Sequence, residues 1–119
     1  MESLLQSEIY PVLLGYSRAA LRILRKHTGA QIRLLSATRP LSVRFDRRIL
    51  WQRVRPELAD ELLLMILEDL ECESGTRLPR LLIGEKRYLP FLARNRAALE
   101  RRFVLRDLTQ LREGEYGPA

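Results

Sequence analysis

The sequence predicts an α/β domain, an open parallel sheet of about four to five strands with helices on both faces. Three observations predict it. Short runs rich in leucine, isoleucine and valine alternate with segments of helical period. Two of those runs pass through one glycine straight into a helix, at "LLGYSRAA" and "LLIGEKRY". The joining segments are short, as they are where helices return the chain to a parallel sheet covered on both faces.

Tyr10 to Leu14 is the first apolar run, bounded by Gly15, and reads as a buried strand. From Ser17 the period changes. Ala20, Leu21, Ile23 and Leu24 gather on one side, with Arg18, Arg22, Arg25 and Lys26 on the other, which predicts an amphipathic helix. Ser17 is placed to cap it, and Gly29 to end it. Lys26 and His27 fall where the negative end of the helix dipole favours cations, and this accounts for the single histidine without catalysis. "AQIRLLSA" supplies a second strand through Ile32, Leu34 and Leu35. Strand, helix and strand in about thirty residues make a βαβ unit with a right-handed crossover.

"TRPLSVRFDRR" reads as an irregular connection, and "ILWQRV" as a third strand stopped by Pro56, with Trp51 a packing residue. "PELADELLLMILEDLECESG" is the longest helical segment. Pro56 suits its first turn, Glu57, Asp60 and Glu61 its positive end, and Gly75 its close. Leu62 to Leu67 is apolar nearly all round, which implies burial on more than one face; Met65 and Cys72 are expected in the core. Leu81 to Ile83 forms a fourth strand, turned at Gly84 into a helix running to about Arg102, in which Pro90 leads us to expect a kink or a break after the first turn. Phe103 to Leu105 is a last short strand. Residues 1–9 read as an extension, 10–106 as the domain, and 107–119 as a frayed tail or severed linker.

A chain of 119 residues buries one core and not two. No apolar run approaches the roughly 18 residues that cross a bilayer. "MESLLQSEIY" lacks a basic start and a sustained apolar stretch, so no secretion signal is expected, and the lone Cys72 suits a reducing compartment. A cytoplasmic domain is the expectation. The net charge of +6 comes almost wholly from arginines between Arg18 and Arg112, interleaved with acids such as Glu57, Glu61, Glu68 and Glu100. Charge so dispersed reads as a solvated surface, and nucleic acid is disfavoured because no aromatics cluster among the cations.

The chemistry-bearing candidates are the two glycine elbows. If their strands are neighbours, Gly15, Tyr16, Ser17 and Arg18 face Gly84, Glu85 and Lys86 across the crevice where ligands bind in open α/β sheets. Backbone amides at Ser17 and Arg18 would then serve an anion, with Lys86 a point charge on the opposite lip. "GYSRAA" is not GxGxxG, "LLSA" has no ribose-binding acid, and no GxxxxGK[ST] loop occurs, which disfavours dinucleotides and P-loop nucleotides. One histidine and one cysteine make no zinc set. Ser17 and His27 stand at opposite ends of one helix, about 15 Å apart, so they form no nucleophile–base pair.

Three stretches resemble the N-terminal, pre-ATP-grasp domain of ATP-grasp enzymes, in the branch related to the carbamoyl-phosphate synthase large subunit and to amino-acid ligases. "YPVLLGYSRAALRILRKHTGAQIRLLSA" is similar to that family's strand, glycine turn, helix and second strand. "RPLSVRF" is similar to the connection that follows. "LPRLLIGEKRYLPFLARNRAALERRFVL" resembles its strand, turn, helix and phenylalanine–valine strand. The likeness spans Tyr10 to Leu105 and departs at the second turn, where Glu85 or Lys86 stands in place of a frequent aspartate.

The resemblance implies a Rossmann-like sheet on the acceptor-substrate side of a ligase that activates a carboxylate as an acyl phosphate for attack by an amine. ATP and magnesium would be held by two ATP-grasp domains, in the parent chain or a split partner. This chain would hold neither cofactor, and by itself would not be a ligase. The alternative is a free-standing α/β interaction protein, a dimer or partner-binding module using Leu62, Leu63, Met65 and Ile66.

Overall fold

Each run read as a strand in the sequence becomes one. The computed structural model describes residues 9–27 and 31–107. In chain order it contains β1 (Ile9–Leu14), α1 (Arg18–His27), β2 (Ile32–Ser36), α2 (Leu41–Arg44), β3 (Ile49–Arg53), α3 (Asp60–Glu73) and β4 (Leu78–Ile83). A 3-10 turn over Lys86–Tyr88 follows, then α4 (Leu89–Arg94), α5 (Arg96–Glu100) and β5 (Val104–Asp107). All five strands are parallel, in the order β3-β2-β1-β4-β5. This is a Rossmann-like open sheet.

The order has a mechanical consequence. From β1 the chain steps outward through β2 to β3, then returns past β1 to lay down β4 and β5 on the other side. β1 and β4 are therefore adjacent, in register from Ile9 opposite Leu78 to Leu14 opposite Ile83. The winding direction reverses between them, and their carboxyl ends share one edge of the sheet.

Alternation along the strands feeds two cores. Val12, Leu14, Leu35, Leu81 and Ile83 face α3, α4 and α5, which contribute Leu63, Leu67, Leu70, Phe91, Leu92 and Leu99. Leu13, Ile32, Leu34, Ile49 and Leu82 face the other way, against Ala20, Leu21, Ile23 and Leu24 of α1 and Val43 of α2. Burial of each such leucine contributes about 1.5–3 kcal/mol, and strands wetted on neither face need this near-continuous apolar spelling.

Several local expectations are corrected. The connection after β2 is not wholly irregular, for Pro40 leads a single helical turn that tucks Val43 into the core. The long helix begins at Asp60 and not at Pro56; residues 55–58 make a separate turn, and Leu62 and Leu63 send the first helical bonds to Ala59. Gly75 does close it, in the left-handed conformation at φ +62°.

After β4 the helix changes after its first turn, from the 3-10 turn to α4 just before Pro90, and it breaks again at Asn95. Pro90 occupies a first turn, where its missing amide costs nothing. The Asn95 side chain instead donates to the Phe91 carbonyl and to Asp60, and its backbone leaves helical geometry at ψ 18°. Met65 and Cys72 are exposed, not core residues, because Leu63, Leu67 and Leu70 already form the inward stripe of α3. The strands also run longer than their apolar letters: β4 starts three residues early, at Leu78, and β5 continues to Asp107. Gly29, the extension over residues 1–8 and the tail over 108–119 lie outside the described residues.

Candidate functional site

The carboxyl ends of β1 and β4 bring the two glycine elbows into contact. Gly15 leaves β1 at φ +91°, a conformation that suits glycine, and its amide donates to the Leu35 carbonyl of β2 at 2.7 Å. The Gly84 amide donates to the Leu14 carbonyl at 2.8 Å. A β-carbon on Gly84 would collide with the Gly15 carbonyl oxygen, and one on Gly15 would lie 2.8 Å from Cβ and Cγ of Glu85. Both positions thus require glycine because two backbones and one side chain converge there.

Glu85 crosses the seam between the elbows. Its Oε1 accepts the Tyr16 amide at 3.0 Å, and its Oε2 pairs with Arg87 Nε at 2.9 Å. The protein's own carboxylate therefore takes the Tyr16 amide, next to the Ser17 and Arg18 amides that the sequence reading offered to an anion. Ser17 caps α1 as expected, its Oγ accepting the Ala20 amide at 3.2 Å. Of the seven predicted crevice residues, Gly15, Tyr16, Gly84 and Glu85 touch directly. Ser17 is occupied as a cap, Lys86 is exposed beside the seam, and Arg18, also exposed, lines a groove along α1.

That groove lies between α1 and α2 and encloses about 380 Å³. Arg18, Arg22, Arg25 and Lys26 line it, with Tyr16 and Ser42. Asp46 answers only Arg25, at 2.7 Å. Sequence reasoning placed these cations on a solvated face, and Arg18, Arg22 and Lys26 are indeed exposed; what it missed is the groove that Ser42 of α2 completes beside them. A signal was present: residues 9–56 carry eleven arginines and lysines against one acid, Asp46, whereas residues 57–107 carry nine against ten acids. Arginines dispersed along the chain are not dispersed over the surface.

Other polar clusters act as fasteners. Ser36, buried at the end of β2, donates to the Thr38 carbonyl at 2.7 Å and accepts Trp51 Nε1 at 2.9 Å. Tyr10 donates its hydroxyl to Glu73 and accepts Arg33, which ties β1, β2 and the end of α3; burial, then the Glu73 hydrogen bond, raises its pKa. Asp60 receives a fork from Arg94, both bonds at 2.9 Å, and a further bond from Asn95. Those bonds hold its carboxyl down to about 2. Tyr88, beside the second elbow, has its pKa raised by burial and then by the Glu85 charge.

Of the four predicted interface residues, Leu63 is buried and Ile66 half-buried against the core of this chain, while Leu62 and Met65 are 50% and 60% exposed. Among the described residues no three histidine, cysteine or carboxylate side chains gather as a metal site. None of the described helices is long and apolar enough to cross a membrane. Compared with known proteins, the chain matches no family model, no curated protein and no solved structure.

Proposed function

We propose that the chain is the acceptor-side α/β domain of an ATP-grasp-like carboxylate–amine ligase, acting with separate domains that hold ATP and magnesium. One observation carries this reading beside the sequence likeness. The elbows Gly15-Tyr16 and Gly84-Glu85 abut at the point where the sheet reverses its winding, the place where open α/β sheets receive ligands. The seam is built from backbone and Glu85 beside Tyr16, and a substrate there would need a second wall. A partner domain would supply it. Glu85 fits an acceptor amine, since a carboxylate already fixed by one backbone amide can orient an ammonium group beside it.

Titration of the chain with ATP, with and without magnesium, tests the reading. It expects magnesium to bring no gain in affinity. Binding strengthened tenfold or more by magnesium would put the nucleotide clasp within this chain and overturn the proposal.

The alternative, an interaction module, draws support from exposed Leu62 and Met65, one turn apart on the outer side of α3. Sedimentation of the wild type against Leu62→Glu/Met65→Glu separates the two. A dimer lost in the double variant favours the module.

A further inference from the structure

The groove between α1 and α2 has chemistry that the ligase reading does not use. Arg18, Arg22 and Lys26 recur at intervals of four along α1, about 6 Å per step, and Arg25 stands beside them. Among the described residues, Arg18, Arg22 and Lys26 have no carboxylate partner; Asp46 neutralises Arg25 alone. The groove therefore keeps an excess of about three positive charges in a 380 Å³ concavity, within the size range of small-ligand sites. No acid lies on α1 to relieve that repulsion.

We propose that this groove binds a small oligophosphate, either free or as the phosphate chain of a nucleoside di- or triphosphate, in its metal-free form. Guanidinium forks match phosphate oxygens in pairs, and several adjacent phosphates are needed to balance the surplus; one carboxylate would leave most of it. Charge crowded on one half of the chain steers anions toward that side. The length of the occupant is limited. Asp46, paired with Arg25, also lines the next cationic groove with Arg39, Arg44 and Arg47, so a carboxylate stands where a longer phosphate strand would have to pass. A nucleic-acid backbone fits less well for that reason. The inference rests on the groove alone and holds whether or not the chain serves a ligase.

Calorimetric titration of the 119-residue chain with inorganic tripolyphosphate, in EDTA at near-physiological salt, tests it. One saturable site is expected, at least tenfold tighter than for orthophosphate. Arg22→Gln/Lys26→Gln, both on the exposed face of α1, should weaken it at least tenfold with an unchanged circular dichroism spectrum. The charge-matched Arg96→Gln/Arg101→Gln, on and just after α5, should not. No saturable binding, or equal losses in both double variants, overturns the proposal and leaves only net charge. Tighter binding of single-stranded oligonucleotides, growing with their length, overturns it in favour of a strand-binding surface. Amide shifts of Arg22 and Ser42, as against Gly84 and Glu85, tell failure here from failure at the elbows.

Discussion

Gly84 lies so close to Gly15 that a β-carbon on the first would strike the carbonyl oxygen of the second. The contact arises because parallel neighbours β1 and β4 end at the same level, Leu14 opposite Ile83, so two backbone segments meet where side chains would otherwise fit. Gly84→Ala should cost about 1–3 kcal/mol, the usual price of overpacking a rigid site. Gly75 makes the comparison. It has positive φ but nothing within 4 Å, so Gly75→Ala should cost only the conformational strain, about 1–2 kcal/mol. Gly15→Ala combines both penalties and should be the worst of the three. Urea unfolding midpoints rank them.

Glu85 should matter more through the Tyr16 amide than through Arg87. Glu85→Ala leaves that amide without its acceptor and should cost about 1–3 kcal/mol, with faster hydrogen exchange at Tyr16. Arg87→Ala breaks only a half-exposed ion pair and should stay within about 0.5 kcal/mol. Equal effects from both would mean that the carboxylate does not hold the elbow.

The Asp60 fork sets a pH window. Its carboxyl sits at about 2 when folded against 3.8 ordinarily, so the unfolded chain takes up this proton at higher pH than the native one. The stabilisation is complete above the ordinary value and is lost as pH falls from there toward 2. Asp60→Asn should therefore show a shallower decline in stability over that interval, measured by urea unfolding at stepped pH. An identical decline in both proteins would deny the fork its role.

Along α3 the inward and outward positions should separate sharply. Leu67 is fully buried, and Leu67→Ala should cost about 2–5 kcal/mol. Met65→Ala should change stability by less than about 0.5 kcal/mol in the monomer. Thermal melts of the two variants check both figures.

Much of this architecture could be read from letters alone, and the reasons differ by element. The strands were legible because a sheet covered on both faces leaves little room for polar residues, as in "VLL" of β1 and "LLI" of β4. The elbows were legible because glycine follows each run directly, and their adjacency follows from placing β1 beside β4. The break at Asn95 was hidden, since it depends on Asp60, distant in sequence, drawing the asparagine side chain aside. Met65 was misplaced because a run such as "LLLMIL" is apolar in every direction, and only the positions of Leu63, Leu67 and Leu70 choose the inward side. The cationic groove needed α2, a single turn of helix whose four residues carry no period to detect. Glu85 was singled out for its place after Gly84, but its bond to Tyr16 joins residues 69 apart and has no local signature.

The claim on which the functional account turns is that the Gly15–Gly84 seam receives the acceptor substrate. A ¹⁵N-correlated titration of the chain with amino acids and small carboxylic acids addresses it most directly. The account predicts saturable amide shifts confined to Tyr16, Gly84, Glu85 and their immediate neighbours for at least one amine-bearing compound, and their loss in Glu85→Gln. Shifts confined to the outer side of α3, or none at the seam for any compound up to tens of millimolar, would contradict it.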